Sequence, residues 1–143
     1  MTTYLLDVNL LIALADPMHI HHPSAHRWFA EKGHAAWATC PITENGFIRV
    51  ASHPNYPNRP GEAAAVIAVL RQLCGPPGRR FWAEEISILQ ILKPDAIVTH
   101  AQITDVYLLG LAVQKKGKLA TLDPRIPVGA VRGGRKALEL IPP

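Results

Sequence analysis

The chain has 143 residues, enough to bury one core but not two, and its 48% hydrophobic content and mean hydropathy of +0.09 exclude a disordered polymer. No uninterrupted apolar run reaches membrane-spanning length, and the apolar opening from Tyr4 to Ala15 has no basic leader and is broken by Asp7 and Asn9. A single soluble domain over residues 1–143 is therefore expected, in the cytoplasm and with no membrane partner. The net charge of +4 is uneven: from Gln114 onward Lys115, Lys116, Lys118, Arg125, Arg132, Arg135 and Lys136 stand against Asp123 and Glu139, an excess of +5 that points to a polyanion partner.

Taken in chain order, Tyr4 to Asp7 reads as a buried strand, followed by helices from about Asn9 to Ala15 and from about Pro23 to Lys32, the second stopped by Gly33. Ala35 to Thr39 reads as a second strand. Pro41 to Ala51 is a helix with proline in its first turn, and Glu62 to Leu73 another, ended by Gly75. Phe81 to Ala83 is a short strand, with Phe81 and Trp82 expected to be core residues. Ile103 to Lys116 is the clearest helix, Lys118 to Leu122 the clearest late strand, and Ala137 to Ile141 a last one. Short apolar strands separated by helices predict an α/β fold with a mostly parallel central sheet flanked by helices. Cys40 and Cys74 are isolated, and ordinary reduced side chains are expected.

With only eleven acidic residues, their placement is informative. Asp7 and Asp123 each end an apolar strand, and ligand sites of open parallel sheets lie at that edge. Asp105 precedes Leu108, Leu109, Ala112 and Val113 at i+3, i+4, i+7 and i+8; Glu44 precedes Phe47, Ile48 and Ala51 at i+3, i+4 and i+7. Both carboxylates thus fall on the core-directed face of a helix. Two carboxylates about 5 Å apart repel by roughly 3 kcal/mol at an effective dielectric near 20, so a cluster of four needs cations, and all-oxygen donors suit Mg²⁺ or Mn²⁺.

The blocks Leu6-Asp7-Val8-Asn9-Leu10-Leu11, Thr43-Glu44, Thr104-Asp105-Val106-Tyr107-Leu108-Leu109 and Ala120-Thr121-Leu122-Asp123, in this order across almost the whole chain, resemble PIN-domain ribonucleases, in particular VapC-like toxins of toxin–antitoxin pairs. The resemblance implies a PIN-like three-layer fold and a metal-dependent endoribonuclease. It makes Asp7, Glu44, Asp105 and Asp123 the catalytic, metal-holding quartet, with Asn9 and Thr121 orienting carboxylates behind them. The chemistry expected is hydrolysis of an RNA phosphodiester by metal-activated water, leaving a 3′-hydroxyl and a 5′-phosphate. It further implies a structured transfer or ribosomal RNA loop as substrate, a cognate antitoxin protein as partner, and a homodimer. Pro124 and Pro127 around Arg125-Ile126 depart from the family pattern beside the last acid. Three rival readings stand beside this one: a PIN-like scaffold that binds RNA or protein without cutting; a transition-metal site among His19, His21, His22 and His26, for which no third-ligand spacing is evident; and a haloacid-dehalogenase-like phosphatase, which would want a second Asp where this chain has Asn9.

Overall fold

The computed structural model describes residues 1–143 and holds five strands: β1 (Tyr4–Leu6), β2 (Trp37–Thr39), β3 (Arg79–Phe81), β4 (Lys118–Thr121) and β5 (Leu138–Leu140). All neighbours pair in parallel, in the order β3-β2-β1-β4-β5. Parallel pairing requires crossovers, and six α-helices supply most of them: α1 (Val8–Ala15), α2 (His22–Glu31), α3 (Pro41–Ala51), α4 (Ala63–Cys74), α5 (Ile88–Ile91) and α6 (Ile103–Gln114). No helix is long and apolar enough to cross a membrane.

Strand alternation splits the core in two. Leu5, Ala38 and Leu119 face α6 and α5, where Val106, Leu108, Leu109 and Ile91 meet them. Leu6, Trp37 and Ala120 point the other way, into Leu10, Leu11, Trp28, Phe47 and Val66 of α1 to α4. Both sheet faces are thus covered, which is why the strands read as continuous apolar runs rather than alternating ones.

The third strand lies two residues earlier than the sequence suggested. Gly78, at φ +115°, turns the chain so that its carbonyl accepts from Trp37 N, and this sets Arg79–Phe81 against β2. Phe81 is consequently 53% exposed at the sheet edge, not core, whereas Trp82 is buried. Helix α5 was not expected at four residues, although Ser87 and Gln90 form a capping box around its start. Both cysteines are free thiols, as expected.

Three features position the acidic residues. The strand order reverses between β1 and β4, so a crevice opens at the carboxyl ends of these two strands, where Asp7 and Asp123 follow. Helix α6 runs back along the same face and brings Asp105, in its first turn, to that edge. Helix α3 lies close to α1 because residue 46 is glycine: a Cβ there would fall 2.7 Å from Val8 Cγ2. That contact ties the helix carrying Glu44 to the one capped by Asp7.

Candidate active site

Asp7 is the most buried acid, 5% exposed, and caps α1: its Oδ1 accepts from Val8 N at 2.8 Å. Its Oδ2 accepts from Thr121 Oγ1 at 2.8 Å. A hydroxyl donates once, and its two lone pairs remain: Thr121 Oγ1 accepts from Asn9 Nδ2 at 3.2 Å and from Asp123 N at 3.1 Å. Asn9 Oδ1 in turn accepts from Leu122 N at 3.2 Å, which fixes the orientation of the amide. One fully buried threonine therefore ties Asp7, Asn9 and the backbone of Asp123 together, joining the ends of β1 and β4. Asn9 and Thr121 thus lie against Asp7 and the backbone of Asp123.

The carboxylates feel one another. Burial is the main cause that raises the Asp7 carboxyl above its ordinary range; Thr121 and Val8 pull it back and the Asp123 charge pushes it further up. Asp105, half-buried, is pushed up to about 6, first by burial and then by the charges of Asp7 and Asp123. Asp123 moves the other way, held low chiefly by the Arg125 side chain, whose Nε lies 3.0 Å from Oδ1. Two raised acids and one ion-paired acid at the same edge make a site short of positive charge.

Glu44 is at the same edge but turned aside. Its Oε2 accepts from Thr39 Oγ1 at 2.6 Å, and its charge is not among those that shift Asp7, Asp105 or Asp123. No three His, Cys, Asp or Glu side chains approach closely enough to ligate one ion. Each of Asp7, Asp123 and Glu44 instead uses its oxygens on a local donor, as repelling carboxylates do. The donor chemistry nonetheless fits a hard divalent ion: all oxygens, excess negative charge, and a rigid anchor in Asp7.

The basic residues divide sharply. Arg125 alone stands beside the carboxylates. Lys115 and Lys116 end α6 and Lys118 begins β4, at the opposite edge of the sheet. The sequence left these cations unplaced; the structure separates them, because a helix antiparallel to the strands carries its two ends to opposite edges of the sheet.

Glu84 was not singled out from the sequence. Its Oε2 accepts from Ile42 N at 2.7 Å, satisfying a free N–H at the start of the helix that carries Glu44. The rule that selected Asp7 and Asp123, an acid following a strand, also selects Glu84. Among the histidines, the His22 and His26 rings lie 5.6 Å apart on α2, tilted by 37°, His22 Nδ1 lies 2.8 Å from Ala13 O, and no third potential ligand joins them.

No protein-family profile matches the chain. Ribonuclease VapC44 of Mycobacterium tuberculosis is 41% identical over 134 residues, 92% of this chain and 94% of the relative. Ribonuclease VapC39 of the same species is 37% identical over 133 residues, 92% of this chain and 96% of the relative; Ribonuclease VapC38 is 39% identical over 140 residues, 96% of each. Among solved structures, Mycobacterium tuberculosis VapC20, described as a sarcin–ricin loop cleaving toxin, superposes with a TM-score of 0.62 at 10% identity, covering 90% of this chain and 95% of that one. VapBC2 from Rickettsia felis, bound to a DNA fragment from its promoter, gives 0.61 at 12% identity, covering 98% and 99%. At such identities the structural matches speak to the fold.

Proposed function

The chain belongs to the VapC ribonuclease family, and we propose that it is a divalent-metal-dependent endoribonuclease, the toxin of a toxin–antitoxin pair, acting at the edge formed by Asp7, Asp105 and Asp123. The observation that carries the assignment of the site is the uncompensated charge at the strand-order reversal: Asp7 and Asp105 are both raised by burial and by their acidic neighbours, and the single nearby cation, Arg125, is engaged by Asp123. A purely structural arrangement gains nothing from such repulsion.

Asp7, Asp105 and Asp123 are the groups that would hold Mg²⁺ or Mn²⁺, with Glu44, bonded here to Thr39, as the fourth carboxylate of the set. When bound, the ion supplies charge neutralisation at the phosphate and a lowered pKa for water. The protein's own contribution is positioning. Val8 N–H and Thr121 Oγ1–H each hold one oxygen of Asp7, so the carboxylate meets its ligand already oriented. The Thr121–Asp123 link fixes the backbone of the second acid, and Glu84 steadies the start of α3 beneath Glu44. Arg125, 85% exposed and paired with Asp123, is the cation at this edge that would meet a phosphate oxygen.

A structured RNA loop is the proposed substrate and a cognate antitoxin the proposed inhibitor, with a homodimer as the proposed assembly. The test is end-mapped cleavage of total bacterial RNA by the purified protein in Mn²⁺ and in EDTA. Discrete cuts bearing 5′-phosphates, present in Mn²⁺ and lost in EDTA and in Asp105→Asn, are expected. Full activity in EDTA sinks the mechanism. RNA binding without cleavage in any metal supports the silent scaffold, whose attraction is that Glu44 is turned to Thr39.

A further inference from the structure

The acidic edge cannot by itself attract RNA, since its fixed charges repel phosphate. The cations left over lie elsewhere. None of Lys115, Lys116, Lys118, Arg132, Arg135 and Lys136 takes part in an ion pair, the three pairs in the molecule being Lys32–Glu139, Arg59–Glu62 and Arg125–Asp123. Three of these free cations come from separate segments, the end of α6, the start of β4 and the approach to β5. Lys116, Lys118 and Lys136 together line one open cleft of about 300 Å³ with Thr2, Gly117 and Gly133. Lys118 also feels Glu139, but that carboxylate is already paired with Lys32 at 2.9 Å.

The backbone at this cleft is unusual. Lys116 has φ 58°, the single non-glycine residue in the left-handed region. It occupies the helix-ending position where glycine is normally found: Lys116 N bonds to Val113 O at 3.0 Å and Gly117 N to Ala112 O at 2.9 Å, the paired bonds of a Schellman ending. Glycine is instead required one residue later, because a Cβ at 117 would fall 2.4 Å from Thr3 O. The chain accepts a strained lysine and so presents an ammonium at the cleft mouth, a cost that burial or packing does not explain for an exposed side chain.

We propose that the cleft of Lys116, Lys118 and Lys136 is a second RNA-backbone site, gripping substrate phosphates at the sheet edge opposite the carboxylates. It rests on the reading of the protein as an RNA-cleaving enzyme. Asp123 follows Lys118 by five residues, about 16 Å along a strand at 3.3 Å per residue. That is at least about five nucleotide steps, counted at the 3.4 Å per-strand spacing of a DNA duplex. A substrate reaching both edges must therefore extend well beyond the scissile bond, as a folded stem–loop does and a short oligonucleotide does not. The lining favours phosphate over an acidic protein: beside three lysines, two glycines and a threonine its apolar members are Val113 and the buried Ala137, and it has no aromatic anchor of the kind a protein interface uses at its centre.

The experiment is fluorescence anisotropy with a labelled RNA hairpin of about 20 base pairs in EDTA, which suppresses cleavage, titrated across salt. The variants are Lys116→Gly alone and with Lys118→Gln and Lys136→Gln. The slope of log affinity against log salt is expected to fall by close to one unit for the single variant and by two to three for the triple, at roughly 0.9 per phosphate contact. Lys116→Gly should also raise Tm by relieving the left-handed lysine, which separates lost binding from lost folding. A wild-type slope in the triple variant overturns the proposal. So does lysine-dependent binding of polyglutamate but not of RNA, which makes the cleft a protein-docking surface. Failure of the nuclease reading is seen separately, as wild type that leaves RNA uncut in Mn²⁺.

Discussion

The two edges of the sheet handle charge in opposite ways. At the carboxyl edge the charges are partly or fully buried, held by Thr121, Asn9 and Val8 N–H, and brought near one another against their mutual repulsion. At the amino edge Lys116 and Lys136 are exposed on flexible stems and have no ion-pair partner. Rigid carboxylates suit a small ion with strict geometry, whereas mobile ammoniums suit a polymer whose phosphates vary in position. The difference between the edges predicts that substitutions fail in different ways, through cleavage at the carboxyl edge and through RNA affinity at the amino edge.

The largest effect is expected from removing a carboxylate. Asp7→Asn and Asp105→Asn should each lower RNA cleavage on the order of 100-fold or more while leaving a folded domain, because each removes a ligand whose position no neighbour replaces. Near-normal cleavage by both, measured alongside circular dichroism, would erase the distinction between the edges.

Next in size is Thr121→Val, which keeps the shape of the side chain and deletes the hydroxyl that serves Asp7, Asn9 and Asp123. Both Mn²⁺ affinity and cleavage should drop about 10- to 100-fold. Stability should fall by about 1–3 kcal/mol, since a buried oxygen of Asp7 is left without its donor. Titration calorimetry with Mn²⁺ and urea melts read the two losses separately.

A third contrast is in pH dependence, and here the sign differs between two acids. Asp105 is raised in the folded protein to about 6, so the folded state holds its proton longer than the unfolded chain. Its contribution therefore favours folding at low pH and is lost as pH rises from 3.8 through 6. In EDTA at pH 7.5, Asp105→Asn should be more stable than wild type by about 1 kcal/mol, the shift being discounted for partial exposure, and the gain should vanish toward pH 4. Mn²⁺ should stabilise wild type more than the variant. Equal melting temperatures at both pH values would make Asp105 an ordinary helix-end acid.

Glu139, in β5 and bonded to Trp28 of α2, provides the opposite and smallest case. Despite its burial, Lys32 at 2.9 Å and Trp28 Nε1 at 3.0 Å hold its carboxyl below the ordinary value of 4.5. Its contribution is present above pH 4.5 and disappears as pH falls through the lowered folded value. Glu139→Gln should cost less than about 1 kcal/mol at pH 7 and nothing in strong acid, with cleavage intact. Thermal melts across pH that slope the same way for Glu139 and Asp105 would remove the contrast.

Much of the acidic edge was legible in the sequence because strand ends and helix faces are local properties. An apolar run ending in Asp fixes Asp7 and Asp123 at the carboxyl edge, and the i+3, i+4 apolar spacing turns Asp105 toward the core, whatever the rest of the chain does. The same locality explains the misses. Phe81 carries no mark of lying at a sheet edge, since that depends on Gly78 and on the register with Trp37. The sequence by itself determined the parallel α/β class, which acids follow strands or sit on core-directed helix faces, and the net positive charge, since composition and period specify these without contacts. Only the tertiary structure decided that Thr121 is the knot among Asp7, Asn9 and Asp123, that Glu44 turns to Thr39, and that the lysines lie opposite the carboxylates. Each of these joins residues distant in sequence or depends on the path of a helix, and no local pattern encodes a direction in space.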